Sequence, residues 1–148
     1  GTTMTNPADY LKLDKQLCFA LYSTSLAMTK LYKPLLEKLG LTYPQYLVMC
    51  ILWERDGLAL KGIAEQLHID SGALTPVINR LEAQGLLQRH RQADNERTLE
   101  IALTPAGRAL REQAEEIPLQ IGMACATTED EIHQLSDQLQ RLRANLSR

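Results

Sequence analysis

Residues 60–103 leave few folds open to this chain. Apolar positions at helical spacing run over 61–67, His68-Ile69-Asp70 reads as a turn, and a second helical pattern follows over about 71–84 (Ala73, Leu74, Val77, Ile78, Leu81). Asp70 or Ser71 suits the N-cap, because a side-chain oxygen there can accept a bond from a free helical N–H. Gly85 stands where helices commonly end on a left-handed residue. Two segments of β character follow, 86–92 and 98–103, joined by a polar loop over 93–97. A helix-turn-helix running into a two-stranded hairpin is the layout of a winged helix, most often a DNA reader. A winged helix used only for protein contact is the plainer alternative.

The flanks are helical. Over 10–40, Leu13, Leu17, Leu21, Met28, Leu31, Leu35 and Leu39 share one broad face, with Pro34 expected to kink the helix or mark a junction. Thr42-Tyr43-Pro44 opens a helix over about 44–55 that is apolar nearly all round, hence a core helix, closed by Asp56-Gly57. Past the hairpin, Thr104-Pro105 starts a helix running towards Ala124, which Pro118 and Gly122 should bend or weaken. Thr128 and Glu131 read as a capping box opening a last helix to about Asn145. Its narrow stripe (Ile132, Leu135, Leu139, Leu142, Leu146) suits packing on another helix, often from a second subunit. The fold expected is mainly α with a small β-hairpin wing (α+β). It is a single domain over 1–148, with a winged helix-turn-helix at 58–103 and dimerisation helices at 10–40 and 105–146.

A net charge of −2 argues against coating nucleic acid by bulk charge, but a sequence-selective reader needs only a local basic face. Arg80, Arg89, Arg91, Arg97, Arg108 and Arg111 supply one. No apolar run approaches the roughly 20 residues that span a bilayer, and no signal-peptide pattern is seen, so no membrane role is expected and the expected compartment is the cytoplasm. The three cysteines are far apart, no C-x-x-C pair exists, and the histidines are not spaced to complete a metal site; no metal and no cofactor are expected.

All five tyrosines lie in the first third of the chain, as does Cys18. Cys18, Tyr22, Ser25, Thr29 and Tyr32 form one semi-polar stripe on the first helix. Cys18 and Tyr32 would stand roughly 21 Å apart along it, at 1.5 Å per residue. They cannot touch within one subunit, whereas two copies crossing antiparallel near Ser25 would bring Cys18 of one against Tyr32 of the other. Hydroxyls donated to a sulfur favour its reactive thiolate, which peroxides convert to a sulfenic acid. The plainer reading has Cys18 packing as a small hydrophobe. Cys125, between two helices, suits a resolving thiol, and Cys50, inside an apolar run, suits inert core.

The segments Leu17-Cys18-Phe19-Ala20-Leu21-Tyr22-Ser23, Leu41-Thr42-Tyr43-Pro44-Gln45-Tyr46 and Asp70-Ser71-Gly72-Ala73-Leu74-Thr75-Pro76 resemble the MarR family of dimeric winged-helix repressors. More narrowly, they resemble its organic hydroperoxide regulators (OhrR). The resemblance covers nearly the whole chain. It implies that Cys18 is the peroxide sensor, that Tyr32 and Tyr43 of the partner subunit hydrogen-bond its sulfur, with Tyr22 a third candidate, and that Cys125 forms an intersubunit disulfide with the sensor. Wings of that family usually carry Asp-x-Arg. Here the arginine is Arg97, the aspartate position holds Asn95, and Asp94 is adjacent.

The expected function is a redox-sensing transcriptional repressor, not an enzyme, that binds a pseudo-palindromic double-stranded operator as a reduced homodimer. It would read DNA through Ser71, Gly72, Thr75, Pro76, Asn79, Arg80 and Arg97, and leave it when an organic hydroperoxide oxidises Cys18. The rivals are a repressor governed by a small phenolic ligand and, from another class, a thiol peroxidase.

Overall fold

The computed structural model describes residues 6–92 and 95–147, with side chains outside 92–98. The chain forms two compact units, Gly1–Arg111 and Glu112–Arg148.

The first unit opens with two 3-10 turns, Pro7–Leu11 and Leu13–Lys15, before helix α1, Leu17–Glu37. The helix thus begins later than the leucine spacing from residue 10 suggests. Lys12 and Gln16 are extended, and Leu11 and Leu13 are exposed, so no packed apolar face holds those residues helical. Pro34 lies inside α1 without ending it, and Gly40, at φ +71°, turns the chain. Helix α2, Tyr43–Glu54, starts on a complete capping box: Thr42 Oγ1 accepts from Gln45 N, and Gln45 Oε1 accepts from Thr42 N. Its Tyr46, Val48, Met49 and Leu52 are buried, as a core helix requires.

A two-residue strand β1, Leu58–Ala59, leads into α3, Leu60–Leu67. His68 takes the left-handed conformation (φ 58°) that turns the chain into α4, Ser71–Ala83. Asp70 is the N-cap residue, but its side chain makes no capping bond; the cap is set by backbone shape alone. At the far end Gly85 N donates to Glu82 O and Leu86 N to Leu81 O, a Schellman closure in which Gly85 supplies φ +78°.

Strands β2, Leu87–Gln92, and β3, Asn95–Leu103, complete a three-stranded antiparallel sheet in the order β1-β3-β2. The wing therefore carries a third strand that a two-stranded hairpin omits: Leu58 pairs with Ile101 and Ala59 with Glu100. The second strand also begins at Asn95 rather than Thr98, with an irregularity after Arg91 that accommodates the extra residues. Leu74, Ile78 and Leu81 point into the core with Ile63, Leu87 and Ile101, and none is more than 1% exposed. Each such side chain contributes about 1.5–3 kcal/mol by leaving water.

Helix α5, Pro105–Ala114, starts as its sequence predicts, with Thr104 Oγ1 accepting from Gly107 N and donating to Gly85 O. Trp53 Nε1 donates to Gly107 O, and a Cβ on Gly107 would lie 2.0 Å from Leu86 O, so only glycine fits. Asp56 Oδ1 accepts from Leu103 N and Gly57 N, tying the end of α2 to β3.

The expected helix towards Ala124 is broken at Glu115 into α5 and α6, Glu116–Ala124. The ring of Pro118 would collide with the carbonyl of Ala114 in a continuous helix, whereas in the first turn of α6 its missing N–H costs nothing. Helix α7, Glu129–Leu146, carries half of the expected box. Thr128 Oγ1 accepts from Glu131 N, while the Glu131 carboxylate accepts from the Thr127 hydroxyl.

Candidate functional site

Helix α4 presents two faces. Leu74, Ile78 and Leu81 are buried, while Ser71, Gly72, Pro76, Asn79 and Arg80 are exposed and Thr75 is half-buried. The spacings 71/75/79 and 72/76/80 each advance by four residues, so the six positions form one solvent-facing strip about two turns long. Thr75 Oγ1 donates to Ser71 O at 3.0 Å, which leaves its lone pairs outward. Pro76 has no N–H to offer the carbonyl of Gly72, yet the helix runs on unbroken. The backbone of Arg97 lies in β3, but its side chain, Asp94 and the Asn95 side chain fall outside the described residues.

A further arginine joins the strip. Arg89 stands on β2, on the same face of the sheet as buried Leu87, and its Nη2 donates to Asn79 Oδ1. Its backbone N–H also donates to Glu82 Oε2 at 3.3 Å. Alternation from Leu87 shows which way Arg89 points, but the partner across the helix becomes visible only in three dimensions.

The sulfur residues lie elsewhere. Cys18 is exposed in the first turn of α1, and Tyr32 is on the same unbroken helix, so the separation of roughly 21 Å at 1.5 Å per residue stands. Tyr32 meets Tyr43 of α2 with ring centroids 4.9 Å apart. Tyr46 completes a cluster, 5.9 Å from Tyr32 and 6.3 Å from Tyr43. Tyr22 does not join it: ten residues before Tyr32 on α1, it is 65% exposed. Tyr46 was not among the expected site residues, although its i, i+3 relation to Tyr43 on α2 was available.

Burial pushes the hydroxyls of Tyr43 and Tyr46 above their ordinary range, and the Cys50 sulfur beside them acts in the same direction. Burial likewise raises the Cys50 thiol, opposed by a hydrogen bond with Tyr46. Tyr43 and Tyr46 therefore keep their protons at neutral pH. A cavity of about 320 Å³ opens next to Tyr43, lined by Thr29, Lys33, Leu36 and Leu41 among others. Cys125 caps α6 and is exposed.

Apolar side chains stand open to solvent on helices of both units: Leu17, Phe19 and Leu26 on α1, Leu119 (68%) and Met123 (79%) on α6, and Leu135, Leu139 and Leu146 on α7. Among the described residues no group of three His, Cys, Asp or Glu could hold a metal, and no helix is long and apolar enough to cross a membrane.

Residues 30–114, more than half of the chain, match the family described as transcriptional regulator SarA/Rot. The organic hydroperoxide resistance transcriptional regulator of Bacillus subtilis (strain 168) is 52% identical over 115 residues, 78% of each chain. Reduced AbfR bound to DNA superposes with a TM-score of 0.79 at 31% identity, over 97% of this chain and all of that one. Disulfide-formed AbfR superposes at 0.62 with 33% identity, over 95% and 93% of the two chains. With its three-stranded wing and helix-turn-helix, this chain belongs to the MarR-type winged-helix transcriptional regulators and is an OhrR-like member of them.

Proposed function

We propose that the protein is a homodimeric repressor switched by organic hydroperoxide. One observation carries the reading. Cys18 and Tyr32, whose ring meets Tyr43 of α2, stand near opposite ends of one unbroken helix, so a site joining this sulfur to these two tyrosines calls for two copies crossing antiparallel. The exposed apolar side chains of α1, α6 and α7 support such a pairing, since monomers rarely leave large apolar patches uncovered.

In the reduced dimer each α4 strip lies in a major groove, using Ser71, Gly72, Thr75, Pro76, Asn79 and Arg80, with Arg97 in the flanking minor groove. Two-fold symmetry then calls for a pseudo-palindromic operator with half-sites about one helical turn apart.

Hydroxyls donated by Tyr32 and Tyr43 of the partner favour the Cys18 thiolate. That thiolate attacks one peroxide oxygen. The O–O bond breaks, the alkoxide takes up a proton and leaves as the alcohol, and Cys18 becomes a sulfenic acid. The thiolate of Cys125 from the other subunit next attacks the sulfenic sulfur, forming the S–S bond and releasing hydroxide, which leaves as water. The disulfide repositions the two readers, and DNA is released. That the related AbfR is known both reduced on DNA and in a disulfide form supports this sequence.

Non-reducing electrophoresis after cumene hydroperoxide, with DNA binding followed in parallel, tests the proposal. A dimer-sized band that appears as binding is lost, and that Cys125→Ser abolishes, is expected. Crosslinking that survives Cys125→Ser contradicts the disulfide.

The cavity beside Tyr43 favours one second reading, a small phenolic acid as effector. Cys18→Ser protein that leaves DNA on adding an aromatic acid, yet ignores hydroperoxide, would support that second reading.

A further inference from the structure

We infer that Arg89 fixes the orientation of the Asn79 amide, turning its Nδ2 donors outward so that it favours guanine over adenine. The inference rests on the DNA-reading role proposed for α4. A side-chain amide that is free on both sides can pair with adenine bidentately, accepting from N6 and donating to N7. Asn79 is not free on both sides, because its Oδ1 accepts from Arg89 Nη2. A guanidinium carries donors and no acceptor, so the amide has one orientation available, with oxygen towards Arg89 and the Nδ2 hydrogens outward.

The arrangement is held at two points. Asn79 and Glu82 stand one turn apart on α4, and Arg89 bonds to both, through its side chain to the first and through its backbone N–H to the second. The pleat helps, since Leu87, two residues earlier on the same face, is anchored in the core. Asn79 is exposed, so its amino group faces the medium in which a duplex would lie. Such a group meets two acceptors on guanine (O6 and N7) but only one on adenine (N7), which stands beside the N6 donor. Specificity at that base pair is therefore set by a wing residue that need not touch the base.

The test is selection by reduced full-length protein from duplexes randomised across a half-site. Wild type should show one position in each half-site where guanine is preferred over adenine by about fivefold or more. Asn79→Ala should flatten that position. Arg89→Ala, which frees the amide to turn, should lose that preference, while Arg89→Lys, which still donates, keeps it. Should Arg89→Ala not bind, Arg89→Met keeps the apolar stem and is read in its place. Wild-type preference retained in Arg89→Ala or Arg89→Met, or an unchanged profile in Asn79→Ala, overturns the inference while leaving DNA reading intact. No sequence enrichment by wild type overturns the DNA-reading role itself.

Discussion

The reader and the helices around the sulfur sites differ in how completely each is built within one chain. From α2 to β3 the apolar side chains close on each other: Val48, Met49, Ile63, Leu74, Ile78 and Leu81 are all but inaccessible, and turns and caps are satisfied locally. Along α1, α6 and α7 several large apolar residues instead face outwards, among them Leu17, Leu26, Leu119, Met123 and Leu135, and Cys18 stands towards the opposite end of its helix from Tyr32. A region that satisfies itself behaves as a rigid part, while one that leaves surface and chemistry incomplete depends on a partner. Under the proposed function the sensing element is of the second kind and the responding element of the first.

The sharpest way to break that contrast is to damage each region and ask whether protein concentration matters. Leu74→Ala removes a fully buried side chain and should cost about 2–5 kcal/mol, read by urea unfolding at several protein concentrations and falling equally at each. Leu135→Glu with Leu139→Glu, on the exposed stripe of α7, should leave the reader folded but convert dimer to monomer in sedimentation. A double variant that still sediments as a dimer would remove that stripe from the proposed interface. Thr42→Ala deletes one arm of the box that starts α2 and should cost about 1 kcal/mol by the same urea measurement.

A smaller effect lies in the tyrosine cluster. Cys50 is raised above its ordinary 9.0, and Tyr43 and Tyr46 above 10.0, by burial. The unfolded chain thus loses these protons first, so stability is complete below pH about 9 and falls as pH rises through the alkaline range. Cys50→Ala should shallow that decline in urea titrations between neutral pH and pH about 10.

Much of the reader was legible because its signals are local. Thr42 with Pro44, Thr104 with Pro105, and Gly85 each declare an element boundary within a few residues. The third strand was not, because Leu58–Ala59 is too short to carry an alternation and forms only by pairing with β3. The start of α1 is not legible, since Leu13 keeps helical spacing with Leu17 and Leu21 but has nothing to pack on. At the sites, the strip on α4 and the stripe from Cys18 to Tyr32 follow from helical periodicity. Tyr46 and Arg89 do not, because their roles rest on contacts between elements: Tyr46 with Tyr32, and Arg89 with Asn79.

Mixed dimers test most directly whether the sulfur site is assembled from two subunits. In one, a Cys18→Ser subunit is paired with a Tyr32→Phe, Tyr43→Phe subunit. In the other, all three substitutions sit on one subunit opposite an unaltered partner. The rate at which cumene hydroperoxide consumes the remaining Cys18 thiol is measured in each. A site built across the interface predicts wild-type rates per thiol in the first dimer and rates about tenfold or more lower in the second, the size expected for lost hydrogen bonds to a charged group. Equal rates, or the opposite order, would contradict it.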